Sequence, residues 1–292
     1  MPKSNSTKRD EASLTVRTVV TEVLSGNPSE AFVSKFLPEL WACRGVDQMT
    51  RHHASDVYAH SLAVYRAGIL LFETGRDKGK PWEFHLASLI HDVGKPKQFS
   101  EMRKHEPGSD GFRDAKAEFS HDKVGRAMVP AIAERLFLDE RTEEYLAFMV
   151  GNHLDPALRL KTFYEEGLPT EKSLRKAFRH LLSEAGGNWN YVRDLVDFAI
   201  CDGLGSGTVD RERVRASWKA VSDAFEAFRK EETAFSKKDL AFDGKDAMEA
   251  GFSGKSVGLL LDAMEKGVAE GRVENSRETL KRFAAGWKAS ST

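Results

Sequence analysis

Two cysteines, Cys43 and Cys201, are all that 292 residues contain, far apart and with no CxxC pair. This excludes a disulfide framework and a cysteine zinc site, and it suits a reducing compartment. Long apolar runs are equally scarce. The longest, AGILLF at 67–72, falls far short of the roughly 20 residues that a membrane helix needs, so no membrane association is expected. The opening MPKSNSTKRDEAS is polar and carries acids, with no apolar stretch behind it. It reads as neither a signal nor a transit peptide, and residues 1–13 are expected to form a disordered tail on a cytoplasmic protein. An excess of one charge is also missing: 44 Lys+Arg stand against 45 Asp+Glu, a formal net charge of -1. Any contact with phosphate or nucleic acid must then come from a local cluster of cations rather than a global field. Strand signals, meaning alternating β-branched runs closed by Asn-Gly turns, are lacking as well.

What remains is helical periodicity, and the fold class it implies is all-α. Helices are expected near 14–25, 28–37, 55–74, 82–93, 120–137, 139–152, 170–185, 188–203, 209–234, 256–271 and 275–288, with Ser55, Ser120, Asp139 and Asn188 as N-caps. Residues 14–237 read as one helical domain, with N-terminal helices over 14–50. A charged break near 238 sets off a small helical tail, 238–292. The stretch FSEMRKHEPGSDGFRDAKAEF, at 99–119, is polar and rich in breakers and reads as a loop over something, a candidate lid.

Polar residues at the edges of apolar helices carry the chemistry. His91 and Asp92 end the helix FHLASLIHDVGKPKQF; His60 lies mid-helix in VYAHSLAVY. His121 opens a helix in FSHDKVG, His153 closes one in FMVGNHL, and Asp202 closes another in DFAICDGLG. Each alone is readily a helix cap or a satisfied core residue. Together they are four imidazoles and two carboxylates beside apolar surface, each needing a buried partner, and a divalent cation would satisfy all of them at once. His85 lies six residues before His91, roughly 240° round the helix, and should face away. Two decoys are set aside. GFSGKSVG (251–258) lacks the first glycine and preceding strand of a phosphate loop. KSLRKAFRH (172–180) reads first as one solvated helix face.

The order His60, then His91-Asp92, then Asp202 resembles the HD superfamily of metal-dependent phosphohydrolases, and His121 and His153 resemble the extra ligands of its two-metal members. FLPELWACRGVDQMTRHHASDVYAHSL, HLASLIHDVGKP, FSHDKVGRAM and the stretch DLAFDGKDAMEAGFSGKSVGLLLDAMEKGVAEGRVENSRETL are similar, in order, to the HD region and following tail of bacterial CCA-adding tRNA nucleotidyltransferases. The likeness runs over about residues 30–285. Only about thirty residues precede it, so the nucleotidyltransferase head of that family is expected to be absent, leaving a freestanding HD module.

The resemblance implies an HD-domain helical bundle and a phosphatase, nucleotidase or 2′,3′-cyclic phosphodiesterase acting on nucleotide or RNA-end phosphoesters through a metal-activated water. One ion would sit on His60, His91, Asp92 and Asp202, with Asp92 bridging to a second on His121 and His153. The cofactor would be Mn, Ni, Co or Mg. Asp92 and Lys95 are the implied catalytic pair. Lys95 is also a candidate for substrate phosphate, as are His52, His53, Arg103 and Lys104. Two alternatives stay open: a di-iron oxygenase with the same ligand order, and a non-catalytic RNA- or tRNA-binding module. No stable protein partner is expected.

Overall fold

The computed structural model describes residues 5–48, 55–72, 79–155, 158, 167–234, 237–269 and 272–287. The all-α expectation holds: no strand occurs among the described residues. In chain order the helices are α1 (Asn5–Leu24), α2 (Glu30–Phe36), α3 (Pro38–Trp41), α4 (Val57–Phe72), α5 (Trp82–Ile90), α6 (Lys95–Met102), α7 (Asp110–Glu118), α8 (His121–Leu136), α9 (Glu140–Asn152), α10 (Glu171–Glu184), α11 (Trp189–Gly205), α12 (Arg211–Ala234), α13 (Gly244–Glu249), α14 (Lys255–Ala269) and α15 (Arg277–Gly286). None of the described helices is long and apolar enough to cross a membrane. The chain divides into two compact units, Met1–Phe225 and Glu226–Thr292.

In the first unit, α4 packs against α5 and α11, α9 packs against α5, α8 and α11, and α6 lies on α7 and α8. Tyr65, Phe84, Leu86, Leu89, Ile90 and Ile132 are fully buried among them. Helix starts follow their caps. Asp139 Oδ1 accepts the Thr142 N–H at 2.8 Å, and Asn188 accepts that of Asn190 at 3.1 Å. Two expected caps are corrected. Asp56, not Ser55, caps α4, taking the Ala59 N–H on Oδ1 and the Gly45 N–H on Oδ2, both at 2.7 Å. One carboxylate thus tethers the preceding turn to the helix that carries His60. Ser120 stands at the α8 N-cap without a capping bond, its hydroxyl donating to Asp122 instead.

Two expectations fail. The expected disorder over 1–13 does not hold for 5–13, which lie in α1 from Asn5 onward. The supposed loop 99–119 is mostly the helices α6 and α7. The period in α6 was hidden because two of its four inward residues are polar: Lys95, Gln98, Phe99 and Met102 are the buried ones, at spacing i, i+3, i+4, i+7. The breakers Pro107 and Gly108 obscured Ser109, which caps α7 by accepting the Phe112 N–H.

The second unit has its own small core of Leu240, Phe242, Ala247, Leu260, Met264, Leu280 and Ala284. Asp243 and Asp246 form a capping box at the start of α13, and Arg277 pairs with Asp246. The rejected phosphate-loop look-alike is the turn into α14.

Glycine sets the closest backbone approach near the histidines. Gly94 has an ordinary φ of -76°, so the turn after Asp92 does not need its conformational freedom. It needs its missing side chain. A Cβ there would overlap the His121 carbonyl oxygen and stand 2.7 Å from the Gly125 nitrogen. Gly94→Ala should therefore push α8 and His121 away from Asp92 and cost about 2 kcal/mol or more, measurable by urea denaturation. A variant as stable as the parent would show that the contact relaxes freely.

Candidate metal centre

Five helices deliver the polar set. His60 comes from the first turn of α4, His91 and Asp92 from the turn after α5, His121 from the first position of α8, His153 from the C-cap of α9, and Asp202 from the last turns of α11. All converge on Asp92. Its Oδ2 lies 3.1 Å from His91 Nε2 and 3.6 Å from His60 Nε2, and its Oδ1 lies 3.3 Å from His121 Nε2 and 3.6 Å from His153 Nε2. Asp202 Oδ1 is 3.1 Å from His60 Nε2. Two groups result whose ligand atoms all lie within 4.8 Å of one another: His60, His91 and Asp202, and Asp92, His121 and His153. The sequence reading put Asp92 in both sets. Its two oxygens do face the two sets, Oδ2 toward the first and Oδ1 toward the second.

The far side of each ring decides the chemistry. Every Nδ1 faces a carbonyl oxygen: Gly205 O at 3.2 Å for His60, Ser88 O at 2.9 Å for His91, Gln98 Oε1 at 2.9 Å for His121 and Val150 O at 2.7 Å for His153. A carbonyl only accepts, so His91, His121 and His153 carry their protons on Nδ1 and turn Nε2 lone pairs inward, while His60 Nε2 lies 3.1 Å from Asp202 Oδ1. The Gln98 carboxamide is oriented in turn, its Nε2 donating to Lys116 O at 3.0 Å. The Nε2 atoms of His91, His121 and His153 are buried and have no hydrogen-bond partner among the described residues. Lone pairs set against carboxylate oxygens repel, and leaving them buried and unpaired is costly. A cation removes both penalties, and the donor set, imidazole nitrogen with carboxylate oxygen, is that of a divalent transition metal.

Electrostatics point the same way. Burial alone would raise the Asp92 pKa, but its charged surroundings, the Lys95 ammonium among them, hold it well below the usual carboxylate range. Burial lowers the His60 pKa against the pull of Asp202 and Asp92, and it lowers that of His121 from 6.5 to about 4. His60 and His121 therefore stay neutral, available as ligands. Lys95 Nζ donates to Asp92 Oδ2 at 2.6 Å and to Gln48 Oε1 at 2.5 Å.

Other expected site residues fall elsewhere. Arg103 and Lys104 are exposed, at the opposite end of α6 from Lys95, roughly 12 Å along the helix axis. Lys104 is taken by Glu101. His52 and His53 lie outside the described residues. His85 belongs to neither group and packs edge-on against Tyr65 and Phe84. In α10 the buried residues are Leu174, Phe178 and Leu181, while Lys172 and Lys176 lie at intermediate or exposed positions. Sequence reasoning missed Gln48 and Gln98, whose only signal was a buried position at the edge of the motif.

The chain also has a cleft of about 720 Å³, lined in part by Lys80, Tyr145, Asp194, Asp197 and Trp218 and by none of the six converging residues. Its polar floor is already satisfied. Lys80 Nζ bridges Asp194 at 2.7 Å and Asp197 at 2.6 Å, Tyr145 donates to Asp194 at 2.9 Å, and Trp218 donates to Asp197 at 3.2 Å. This network ties the segment before α5 to α9, α11 and α12, and each of its polar atoms has a partner within the protein.

Residues 57–179 match the HD domain family. The HD domain indicates the superfamily of metal-dependent phosphohydrolases, whose members bind divalent metals. The chain is also 27% identical over 253 residues to the CC-adding tRNA nucleotidyltransferase of Thermus thermophilus, covering 87% of this chain and 50% of that protein. It is 26% identical over 252 residues to the A-adding tRNA nucleotidyltransferase of Deinococcus radiodurans, covering 86% of this chain and 51% of that one. It spans about half the length of these curated relatives. Both likenesses expected from the motifs are thus found.

The depressed His121 pKa has a stability consequence. Below pH 6.5 the unfolded chain binds a proton at this ring that the folded protein refuses until about pH 4. The stability it contributes is present above pH 6.5 and is lost as the pH falls through that window. His60, shifted in the same direction by burial, adds to the loss. Chelator-treated protein should lose on the order of 3 kcal/mol between pH 6.5 and 4 through His121 alone, read by urea denaturation at several pH values. A flat profile would refute the neutral-imidazole assignment.

Proposed function

We propose that this chain is a phosphohydrolase that cleaves nucleotide or RNA-end phosphoesters, as a phosphatase, nucleotidase or 2′,3′-cyclic phosphodiesterase. The observation that carries the reading is the convergence of four Nδ1-anchored imidazoles on one buried carboxylate, three of them with Nε2 atoms that have no hydrogen-bond partner among the described residues. His60, His91, Asp92 and Asp202 would hold one ion, and Asp92, His121 and His153 a second. Mn, Ni or Co suits the histidine-rich set better than Mg. Bound there, such ions supply Lewis acidity toward a phosphoryl oxygen and a lowered pKa for water.

The chain's own groups do the rest. Asp92 uses both oxygens to tie the two positions together. Asp202 adds negative charge where α11 ends, a position that calls for a cation. Lys95, beside Asp92, offers its ammonium to the oxygens on which charge builds during attack at phosphorus. The apolar wall formed by Phe198, whose ring centroid lies 5.2 Å from that of His91, keeps bulk water from the back of the centre.

The substrate class rests on the relatives, both of which bear names of tRNA enzymes. Because the likeness also runs through the second unit, an RNA-holding role without catalysis is the second reading, and tRNA retention at low salt with no hydrolysis under any metal would favour it.

Purified protein supplied with Mn or Ni should hydrolyse an aryl phosphate or open 2′,3′-cyclic nucleotides. Folded protein that is inert on both, with every metal, would sink the reading. Asp92→Ala should remove both ions and lower turnover by several orders of magnitude. His121→Ala should keep the first ion and lose the second, so metal analysis should give about half the parental content. Equal content in parent and variant would refute the two-ion assignment.

A further inference from the structure

Gln48 is 4% exposed, and its carboxamide is not free to flip. Lys95 is purely a donor, and its Nζ lies 2.5 Å from the oxygen of Gln48; the reverse orientation would set N–H against N–H. The Gln48 oxygen is therefore Oε1, and its Nε2, with two N–H donors, is buried with no acceptor among the described residues. That condition it shares with the Nε2 atoms of His91, His121 and His153: each is a buried polar atom placed to take a partner from a bound group. The difference lies in sign. The imidazoles offer lone pairs and want a cation; Gln48 offers hydrogens and wants an anionic or carbonyl-like oxygen.

Its location says which oxygen. Gln48 Oε1 holds Lys95 Nζ, and the same ammonium lies 2.6 Å from Asp92 Oδ2, so the carboxamide is two hydrogen bonds from the carboxylate on which both ligand groups converge. Lys95 has one further N–H, since two of its three are taken by Asp92 and Gln48. An ammonium and an amide N–H₂ side by side form a donor pair suited to a tetrahedral oxyanion.

We propose that Gln48 is a substrate-binding residue: its Oε1 fixes the Lys95 ammonium while its Nε2 donates to a non-bridging oxygen of the phosphoryl group. This rests on the phosphohydrolase reading and names a specificity determinant within it. The site so formed selects a phosphoryl group with at least two unesterified oxygens, one for the metal side and one for the Gln48–Lys95 side. Monoesters and cyclic or linear diesters meet that demand, and phosphotriesters do not.

Gln48→Glu separates the two halves of the role, because it keeps an acceptor for Lys95 and replaces the N–H₂ donor with a second oxygen. Inorganic phosphate binding to manganese-loaded protein, read by calorimetry, should weaken at least tenfold, as loss of one hydrogen bond to a charged group predicts. KM for an aryl phosphate should rise in step, with metal content and thermal midpoint unchanged. Gln48→Met, which adds no charge, should weaken phosphate binding too. Phosphate affinity in Gln48→Glu equal to that of the parent would overturn the proposal, leaving Gln48 as a tether for Lys95 and nothing more. If the parent neither binds phosphate nor hydrolyses any phosphoester, the phosphohydrolase reading falls. If the parent does both and Gln48→Glu matches it, only the Gln48 assignment falls.

Discussion

The hydrogen bond from each imidazole Nδ1–H to a carbonyl oxygen is the constraint on which the rest of this protein turns. It is made four times and each time sets the ring's orientation; at His91, His121 and His153 it also leaves the inward nitrogen without a proton. A reversed tautomer at one of these three would present an N–H to Asp92 and move the centre toward an ordinary buried hydrogen-bond cluster. With the three locked the same way, the centre gathers lone pairs around a carboxylate that stays ionised. The chain cannot neutralise that arrangement unaided beyond the one ammonium of Lys95. The preference for a cation, the burial-lowered basicity of His60 and His121 and the sensitivity to acid are three aspects of one geometric fact.

The α11 helix sets this centre against its opposite. Asp194 and Asp197, early in the helix, are neutralised by Lys80 and hydrogen-bonded by Tyr145 and Trp218. Asp202, a little over one turn beyond Asp197, meets His60 instead. The three carboxylates of one helix thus have two fates. The first pair is consumed in holding helices together, and the third is left for chemistry. Burial alone does not tell the two apart. The distinguishing mark is whether the partners present add up to a satisfied set.

Much of this was readable in advance, and the reasons differ by element. Helices with a clean apolar period, such as α8, α9 and α11, sit within two residues of their expected limits, because the same residues that set the period are those buried. The six converging residues were legible because a polar side chain at the edge of an apolar helix is conspicuous. The segment α6–α7 was not, and the cause is the site itself. Lys95 and Gln98 point inward to serve Asp92 and His121, which breaks the apolar stripe that marks a helix. Gln48 was invisible for a related reason. A glutamine in a turn has no periodic signature, and only the position of the Lys95 ammonium reveals its purpose. The role of Gly94 had no signal either, since its φ is ordinary and its lack of a Cβ is what counts.

The four anchoring carbonyls are not equivalent. Those for His91 and His153 belong to residues three positions earlier in the same segment, so helix geometry provides them whatever the side chains there, and that for His60 is also main chain. Only His121 depends on a side chain, Gln98. Heredity can therefore reach just one of the four locks by changing the anchor. Three are written into the backbone and persist as long as the fold does, while the fourth can be loosened or reset by a single codon. A lineage carrying this scaffold could drift between one-ion and two-ion forms at position 98 without touching a ligand, and that position is where divergence in metal demand would first leave its trace.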